Sequence, residues 1–443
     1  MIRPSDTPFS TFNRPDAARL APAAIAQLQS RLLREHLHYV ATKSPFYRRR
    51  FAEAGVSLEQ VRSVADLAAL PCTTKSDLNE ANLDFLCADP AGIVDICLTS
   101  GTTARPVALH QTRGDLERLG FNEETAFRLA GVTPQDTVMI AAAIDRCFMA
   151  GLAYFLGLTR LGATVLRAGS GSLPVTADLV LAHRPSVIVG VPTLLAALAE
   201  RLLANGARPE TLGVRLLVCI GEPVRAQDFS LSALGTRLAG LWAARVCGTY
   251  ASTELATAFC ECEHGRGGHS NPELCIVEIL DDAGNPVPAG QVGEVVVTPL
   301  QVTGMPLVRF RTGDLAALYA DPCPCGRNSP RLGPIQGRMN QALKYRGTTV
   351  YPPAVFAVLQ GMSEIRGYYI EVSDAYELSD HICVVVGSND PGLTPRRVAE
   401  SIASSLRVKP EVRILPPEEV TTRVNQPDKR KPVTFFDYRR KRP

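Results

Sequence analysis

The chain has 443 residues, 46% of them hydrophobic, with 47 basic and 44 acidic side chains and a formal charge of +3. That length exceeds what one hydrophobic core organises, so two or more packed domains are expected and a disordered chain is excluded. Near-neutral charge gives no reason for a nucleic-acid or membrane-surface partner, and 12 cysteines in a chain this long do not make a disulfide scaffold. The opening Met1-Ile-Arg-Pro-Ser-Asp6 lacks an apolar signal core, and no uninterrupted apolar run reaches the roughly 18 residues of a membrane span. A cytoplasmic location is expected, with the thiols reduced.

Residues 14–65 read as helices, with Leu20, Ile25, Leu28, Leu32 and Leu33 at helical spacing. Next, Leu98-Thr-Ser-Gly-Thr-Thr-Ala-Arg-Pro106 puts four hydroxyls, a glycine and a cation on one short turn. Gly101 allows close approach of the backbone to an anion. Thr99, Ser100, Thr102 and Thr103 offer hydroxyl and N–H donors, and Arg105 adds charge and a forked donor. By itself such a run between a strand and a helix is usually a polar turn.

From about 90 to 215, β-branched runs alternate with helical stretches, as at 138–141 and 186–190 for strands and 194–203 for a helix. This rhythm predicts a largely parallel sheet covered by helices. The apolar run 216–220 ends at Gly221-Glu222-Pro223, and ligands of such sheets gather beyond the strands' carboxyl ends. The loops at Gly101, Gly221 and Tyr250 are therefore expected around one crevice. Residues 275–319 are mostly β, with strands at 275–280 and 293–298 and a turn at 281–285, which predicts a smaller, partly antiparallel unit. A polar linker from Met339 to Gly347 leads to a compact αβ region with a strand at 381–386 and a helix at 395–406. The basic end Asp437-Tyr-Arg-Arg-Lys-Arg-Pro443 reads as a solvated, frayed terminus.

Cys323-Pro-Cys325 sets two thiols on a tight turn, and Cys260, Cys262, His264 and His269 lie upstream. Four Cys/His ligands suit tetrahedral zinc, whereas separate thiols and surface histidines would bind nothing.

The ordered series of the 98–106 run, Gly221-Glu222-Pro223, Tyr250-Ala-Ser-Thr-Glu254, Arg309-Phe-Arg-Thr-Gly-Asp314 and Gly337-Arg338 resembles the signatures of the adenylate-forming acyl/aryl-CoA synthetases. Within them it resembles the phenylacetate-CoA ligase branch. Leu32-Leu-Arg-Glu-His-Leu-His-Tyr39, Ser44-Pro-Phe-Tyr47 and Asp66-Leu-Ala-Ala-Leu-Pro71 ahead of Thr73-Thr-Lys75 extend the likeness to the first segment. The resemblance implies an α/β fold. A large N-terminal adenylate-forming domain, 1–338, holds parallel sheets and a zinc-binding β region at about 255–330. A hinge at 339–347 and a small mobile α+β C-terminal domain, 348–443, follow.

It also implies roles. Thr99, Ser100, Gly101, Thr102, Thr103 and Arg105 hold ATP, together with Gly221, Glu222, Pro223, Tyr250 and Thr253. Tyr250 stacks on adenine, Glu254 with Thr102 holds Mg²⁺, and Asp314, beside Arg309 and Arg311, binds ribose. Arg338 neutralises phosphate. Alignment on Asp437 assigns the catalytic lysine to Lys431, with Lys429 as competitor. Ala251, Asn340, Arg430 and Thr434 depart from the family pattern, which leaves the substrate pocket, the hinge and the lysine less firmly assigned. Spacing in the branch selects Cys262, His269, Cys323 and Cys325 for a structural zinc, leaves Cys260 and His264 as spares, and matches a family acidic residue to Glu273.

The acid pocket is expected near 141–150 and 189–192, lined by Arg146, Cys147, Phe148 and Met149. Arg146 either meets a second polar group of the substrate or forms a rim salt bridge. The implied reaction is ATP-dependent activation of a small carboxylic acid, aromatic by resemblance, to an acyl-AMP with pyrophosphate release, then thioester formation with coenzyme A. The alternatives are transfer to a carrier-protein thiol, an amine or another nucleophile, or a zinc-stapled nucleotide-binding scaffold. Homodimerisation is compatible with either.

Overall fold

A computed structural model describes residues 16–99, 106–345, 348–374, 379–426 and 432–439. The chain forms two compact units. The larger takes the described residues up to 231 with 235–312 and 316–334, and the smaller takes those from 335 onward with 232–234 and 313–315.

The larger unit opens with α1 (Pro22–Lys43) and α2 (Pro45–Glu53). Ile25, Leu28, Leu32, Leu33, Leu37 and Val40 form the buried stripe of α1. Leu20 precedes that helix and is exposed, so the stripe starts one turn later than the spacing suggested. Ser44 separates the helices because its hydroxyl accepts the Tyr47 N–H and Pro45 occupies the first helical position. Short turns lead to α3 (Lys75–Glu80), whose start is fixed by a reciprocal cap between Thr74 and Asp77.

Strands β1 (Ile93–Leu98) and β2 (Ala108–Thr112) pair antiparallel as a separate ribbon. The hydroxyl-rich segment is thus flanked by two strands, and the expected strand-to-helix setting is corrected. Helix α4 (Arg113–Ala130) starts only after β2, on a Thr112–Asp115 capping box.

The β-α rhythm then appears as β3 (Thr137–Ala141), α5 (Met149–Leu161), β4 (Thr164–Arg167), α6 (Leu173–His183), β5 (Val187–Gly190), α7 (Pro192–Ala204), β6 (Leu216–Ile220), α8 (Ala233–Trp242) and β7 (Arg245–Ser252). These strands lie parallel in the order β4-β3-β5-β6-β7. Strands β5 and β6 are buried along their whole length, which is why they read as continuous Val/Ile/Leu runs rather than alternating ones. Val138, Ile140, Val187, Val189, Leu216 and Val218 pack with Phe127, Tyr154 and Leu158 of the covering helices.

Past β7 the pairing turns antiparallel, with β8 (Thr257–Glu261), β9 (Gly268–His269), β10 (Cys275–Leu280), β11 (Val292–Pro299), β12 (Phe310–Tyr319) and β13 (Arg331–Leu332). The spatial order from β7 is β8-β9-β13-β12-β11-β10.

In the smaller unit β14 (Gly337–Arg338) pairs with Asp314 and Leu315 of β12. A hairpin of β15 (Leu343–Tyr345) and β16 (Thr348–Val350) precedes α9 (Pro352–Gln360). Then come β17 (Tyr368–Asp374), β18 (Asp380–Gly387), α10 (Pro395–Leu406), β19 (Glu411–Leu415), α11 (Pro417–Val424) and β20 (Phe435–Asp437). The sheet order is β19-β18-β17-β20, over a core that includes Ile370, Val372, Val384, Val386, Val398 and Ile402. Among the described residues no helix is long and apolar enough to cross a membrane.

Candidate active site and metal centre

The turns at the carboxyl ends of β3, β5, β6 and β7 carry most of the residues singled out in the larger unit. Gly221 ends β6 at φ +77°, a conformation that glycine adopts without strain. The neighbouring Glu222 accepts the Thr193 N–H at 3.0 Å and its hydroxyl at 2.9 Å, binding the Gly221-Glu222-Pro223 turn to the first turn of α7. Tyr250 lies within β7 rather than on a loop, half-buried, with its ring 5.8 Å from that of Phe259.

Thr99 closes the base of the hydroxyl-rich segment. Its N–H donates to Val107 O at 2.9 Å, and its Oγ1 accepts the Val107 N–H at 3.0 Å. The Thr99 amide is therefore a clasp and is not available as an anion donor. Ser100, Gly101, Thr102, Thr103, Arg105, Lys429 and Lys431 lie outside the described residues.

Glu254 follows β7 with its side chain 9% exposed, and the Lys75 ammonium approaches its Oε1 at 3.2 Å. Lys75 starts α3, and the residues before it are firmly held. Thr73 is buried, donates its N–H to Arg309 O, accepts the Arg311 N–H, and sends its hydroxyl to Val308 O. The sequence marked Thr73-Thr-Lys75 only as part of the family likeness. Its partnership with a carboxylate 179 positions away left no local signal.

Thr253 and Glu254 line a small cavity of about 20 Å³ with Leu109, Gln111, Met149 and Met305. Of the four residues expected to line the acid pocket, Met149 is buried here and Phe148 is half-buried, whereas Arg146 and Cys147 are exposed. Arg146 lies 3.5 Å from Asp145, and both side chains are exposed. The turn that carries these residues is held close to α5, because any Cβ at Gly151 would collide with Ala143 O.

Asp314 and Arg338 are cross-strand neighbours in the smaller unit, with Arg338 Nε donating to Asp314 Oδ1 at 3.0 Å. Arg309 and Arg311, the sequence neighbours that favoured the ribose reading of Asp314, are engaged by other carboxylates. Arg309 is buried and grips both oxygens of Glu278 at 3.0 and 2.9 Å, and Arg311 donates to Glu294 at 2.6 Å. Both brace strands through forked ion pairs.

Cys262, His269, Cys323 and Cys325 converge, with one ligand atom each, all within 4.8 Å of one another. Cys262 Sγ is 3.6 Å from Cys323 Sγ, and Cys325 Sγ is 3.5 Å from His269 Nε2. A tetrahedral zinc with Zn–S near 2.3 Å places its ligands about 3.8 Å apart, so this Cys₃His set fits such an ion. Ser329 Oγ lies 3.4 Å from His269 Nδ1, where it orients the ring. Burial pushes the Cys262 thiol up to about 12 and the His269 imidazole down to about 3. The two spare residues stand apart: Cys260 Sγ lies 3.7 Å from Cys247, and His264 is beside Glu263.

Residues 34–305 match the AMP-binding enzyme family. The chain is 32% identical to a phenylacetate-coenzyme A ligase of Thermus thermophilus, over 91% of this chain and 95% of that one. The chain belongs to the AMP-binding enzymes. An Escherichia coli phenylacetate-coenzyme A ligase is 28% identical over 83% of each chain, which sets this AMP-binding enzyme in the phenylacetate-CoA ligase-like branch. Its fold matches a 2-hydroxyisobutyryl-CoA ligase bound to an acyl adenylate, with a TM-score of 0.82 at 24% identity, covering 98% of this chain and 95% of the other. The protein is accordingly an AMP-forming acid–CoA ligase. It activates a small carboxylic acid with ATP and Mg²⁺ and transfers the acyl group to coenzyme A.

Proposed function

We propose that the acid is aromatic and that the protein works in the cytoplasm as an arylacyl-CoA ligase with a structural zinc. The observation that carries the reading is the nearly buried Glu254 carboxylate at the carboxyl end of β7, faced by the Lys75 ammonium and lining one cavity with Met149 and Leu109. The phenylacetate ligases among its relatives support the substrate class.

Glu254, with Thr102, would hold Mg²⁺, which when bound neutralises the triphosphate. Ser100, Gly101, Thr103 and Arg105 cradle the phosphates, Tyr250 packs on the adenine, and Gly221, Glu222, Pro223 and Thr253 shape the nucleotide's surroundings. Asp314 accepts the ribose hydroxyls. Arg338, released from Asp314, neutralises phosphate. Lys431, with Lys429 as its competitor, supplies positive charge as a carboxylate oxygen attacks the α-phosphorus and pyrophosphate leaves with the bonding electrons. The coenzyme A sulfur, as thiolate, then attacks the acyl carbon, and AMP departs from it. Positioning and fixed charge supply most of the catalysis. Cys262, His269, Cys323 and Cys325 would hold a structural zinc, which when bound would pin the β region.

The substrate class is tested by pyrophosphate release with phenylacetate, benzoate and hydroxycinnamates against short alkyl acids, at fixed ATP, Mg²⁺ and coenzyme A. Aryl acids are expected to exceed alkyl acids at least about tenfold in kcat/KM. An alkyl acid as the best substrate would overturn the aromatic assignment.

A further inference from the structure

The basic tail that reads as frayed is packed at its start. Arg439 has a side chain only 19% exposed, and its guanidinium joins three separated pieces of the smaller unit. Nη1 donates to Ala342 O at 2.8 Å and to Asp380 Oδ2 at 2.9 Å, while Nε and Nη2 donate to the two oxygens of Asp437 at 2.8 and 2.6 Å. Asp380 Oδ2 also accepts the Lys344 N–H at 2.6 Å. The linker at 342–344, the start of β18 and the end of β20 are therefore tied through one planar fork. Strand β20 is in turn anchored along β17, from Ile370↔Phe435 to Val372↔Asp437, with the Tyr438 N–H on Val372 O at 2.7 Å. Met339–Gln341, a single short turn, lies just before the tied segment.

We propose that Arg439 is a positioning residue for the adenylation half-reaction. It makes residues 342–344 and the strand that follows the catalytic-lysine segment one rigid piece, which confines the pivot of the hinge to Met339–Gln341. The inference rests on the reading of 339–347 as the hinge and Lys431 as the adenylation lysine. A rigid guanidinium fork can hold a backbone carbonyl and two carboxylates at fixed angles, which a flexible ammonium cannot. With the fork removed, β20, the strand that follows the lysine segment, loses its tie to residues 342–344. Adenylation suffers, whereas thioester formation, which does not use the lysine, continues.

The test uses full-length Arg439→Ala and Arg439→Lys proteins with Lys431→Ala as control. It has three readouts: amide hydrogen exchange at 342–345, single-turnover adenylate formation, and thioester formation from preformed acyl adenylate and coenzyme A. Arg439→Ala is expected to speed exchange at Lys344 and to slow adenylation by about 10- to 100-fold, with thioester formation within about twofold. Arg439→Lys should not restore the adenylation rate. Unchanged exchange at 342–345 would overturn the proposal. So would equal loss in both half-reactions in step with a fall in the unfolding midpoint, which marks a purely structural role. If Lys431→Ala adenylates normally, the lysine reading fails, and exchange at Lys344 then decides the clamp alone. Should Arg439→Ala not fold, Asp380→Asn removes one carboxylate of the same junction and is read the same way.

Discussion

Glu254 meets the Lys75 ammonium at 3.2 Å, and in the proposed reading the Mg²⁺ that arrives with ATP would compete with that ammonium for the same carboxylate. Replacing Lys75 by Met removes the competitor. The pair is partly exposed and therefore weak, so half-saturating Mg²⁺ should fall by roughly 2- to 5-fold. An unchanged Mg²⁺ midpoint in steady-state pyrophosphate release would show that the ammonium does not contest the site. Glu254→Ala would remove the proposed metal carboxylate itself, and kcat for adenylation should drop by about 100- to 1000-fold with the fold intact. A drop of less than about tenfold would move the metal site elsewhere. Single residues also mark where sequence reading ends. In the sequence Arg309 and Arg311 only support the ribose reading of Asp314, and Glu278 and Glu294, which claim them as ion-pair partners, lie 31 and 17 residues away. Asp314 and Arg338 became partners only through strand pairing.

Helix α4 buries an ionisable group that the active site does not use. Burial raises the Glu123 carboxyl to about 8, with Asn122 donating to it at 3.0 Å. Below the unfolded-state pKa near 4.3 the carboxyl is protonated in both states and imposes no penalty. As pH rises, the unfolded chain ionises first, so stability is lost progressively until about pH 8, where the folded group ionises as well. Glu123→Gln should therefore raise the urea midpoint more at pH 8 than at pH 5. An equal shift at both pH values would contradict a neutral Glu123.

Purified protein should contain about one zinc per chain, and a strong chelator or Cys323→Ser should lower the thermal midpoint. Protein without zinc, or a midpoint indifferent to chelation, would reduce the four ligands to a cluster of thiols around an imidazole. The sequence supplied two rival ligands here. Cys260, still within β8, meets Cys247 across the strand pair, while Cys262, just beyond the strand's end, reaches Cys323.

Over the whole molecule, legibility followed locality. The α10 span 395–406 was readable from its periodicity and the parallel strands from their unbroken apolar runs, because burial on both faces leaves that pattern. The family was readable because its signatures keep their order along the chain. The Arg439 junction, the Lys75–Glu254 pair and the strand flanking of the hydroxyl-rich segment depend on partners set by tertiary pairing, and no local pattern encodes them. The central claim, an acid–CoA ligase running through an acyl adenylate, is tested most directly by product stoichiometry. With ATP, Mg²⁺, an accepted aryl acid and coenzyme A, AMP, pyrophosphate and thioester should accumulate in equal amounts, with turnover stopping after one equivalent when coenzyme A is withheld. Release of ADP and phosphate, or sustained pyrophosphate release without coenzyme A, would contradict it.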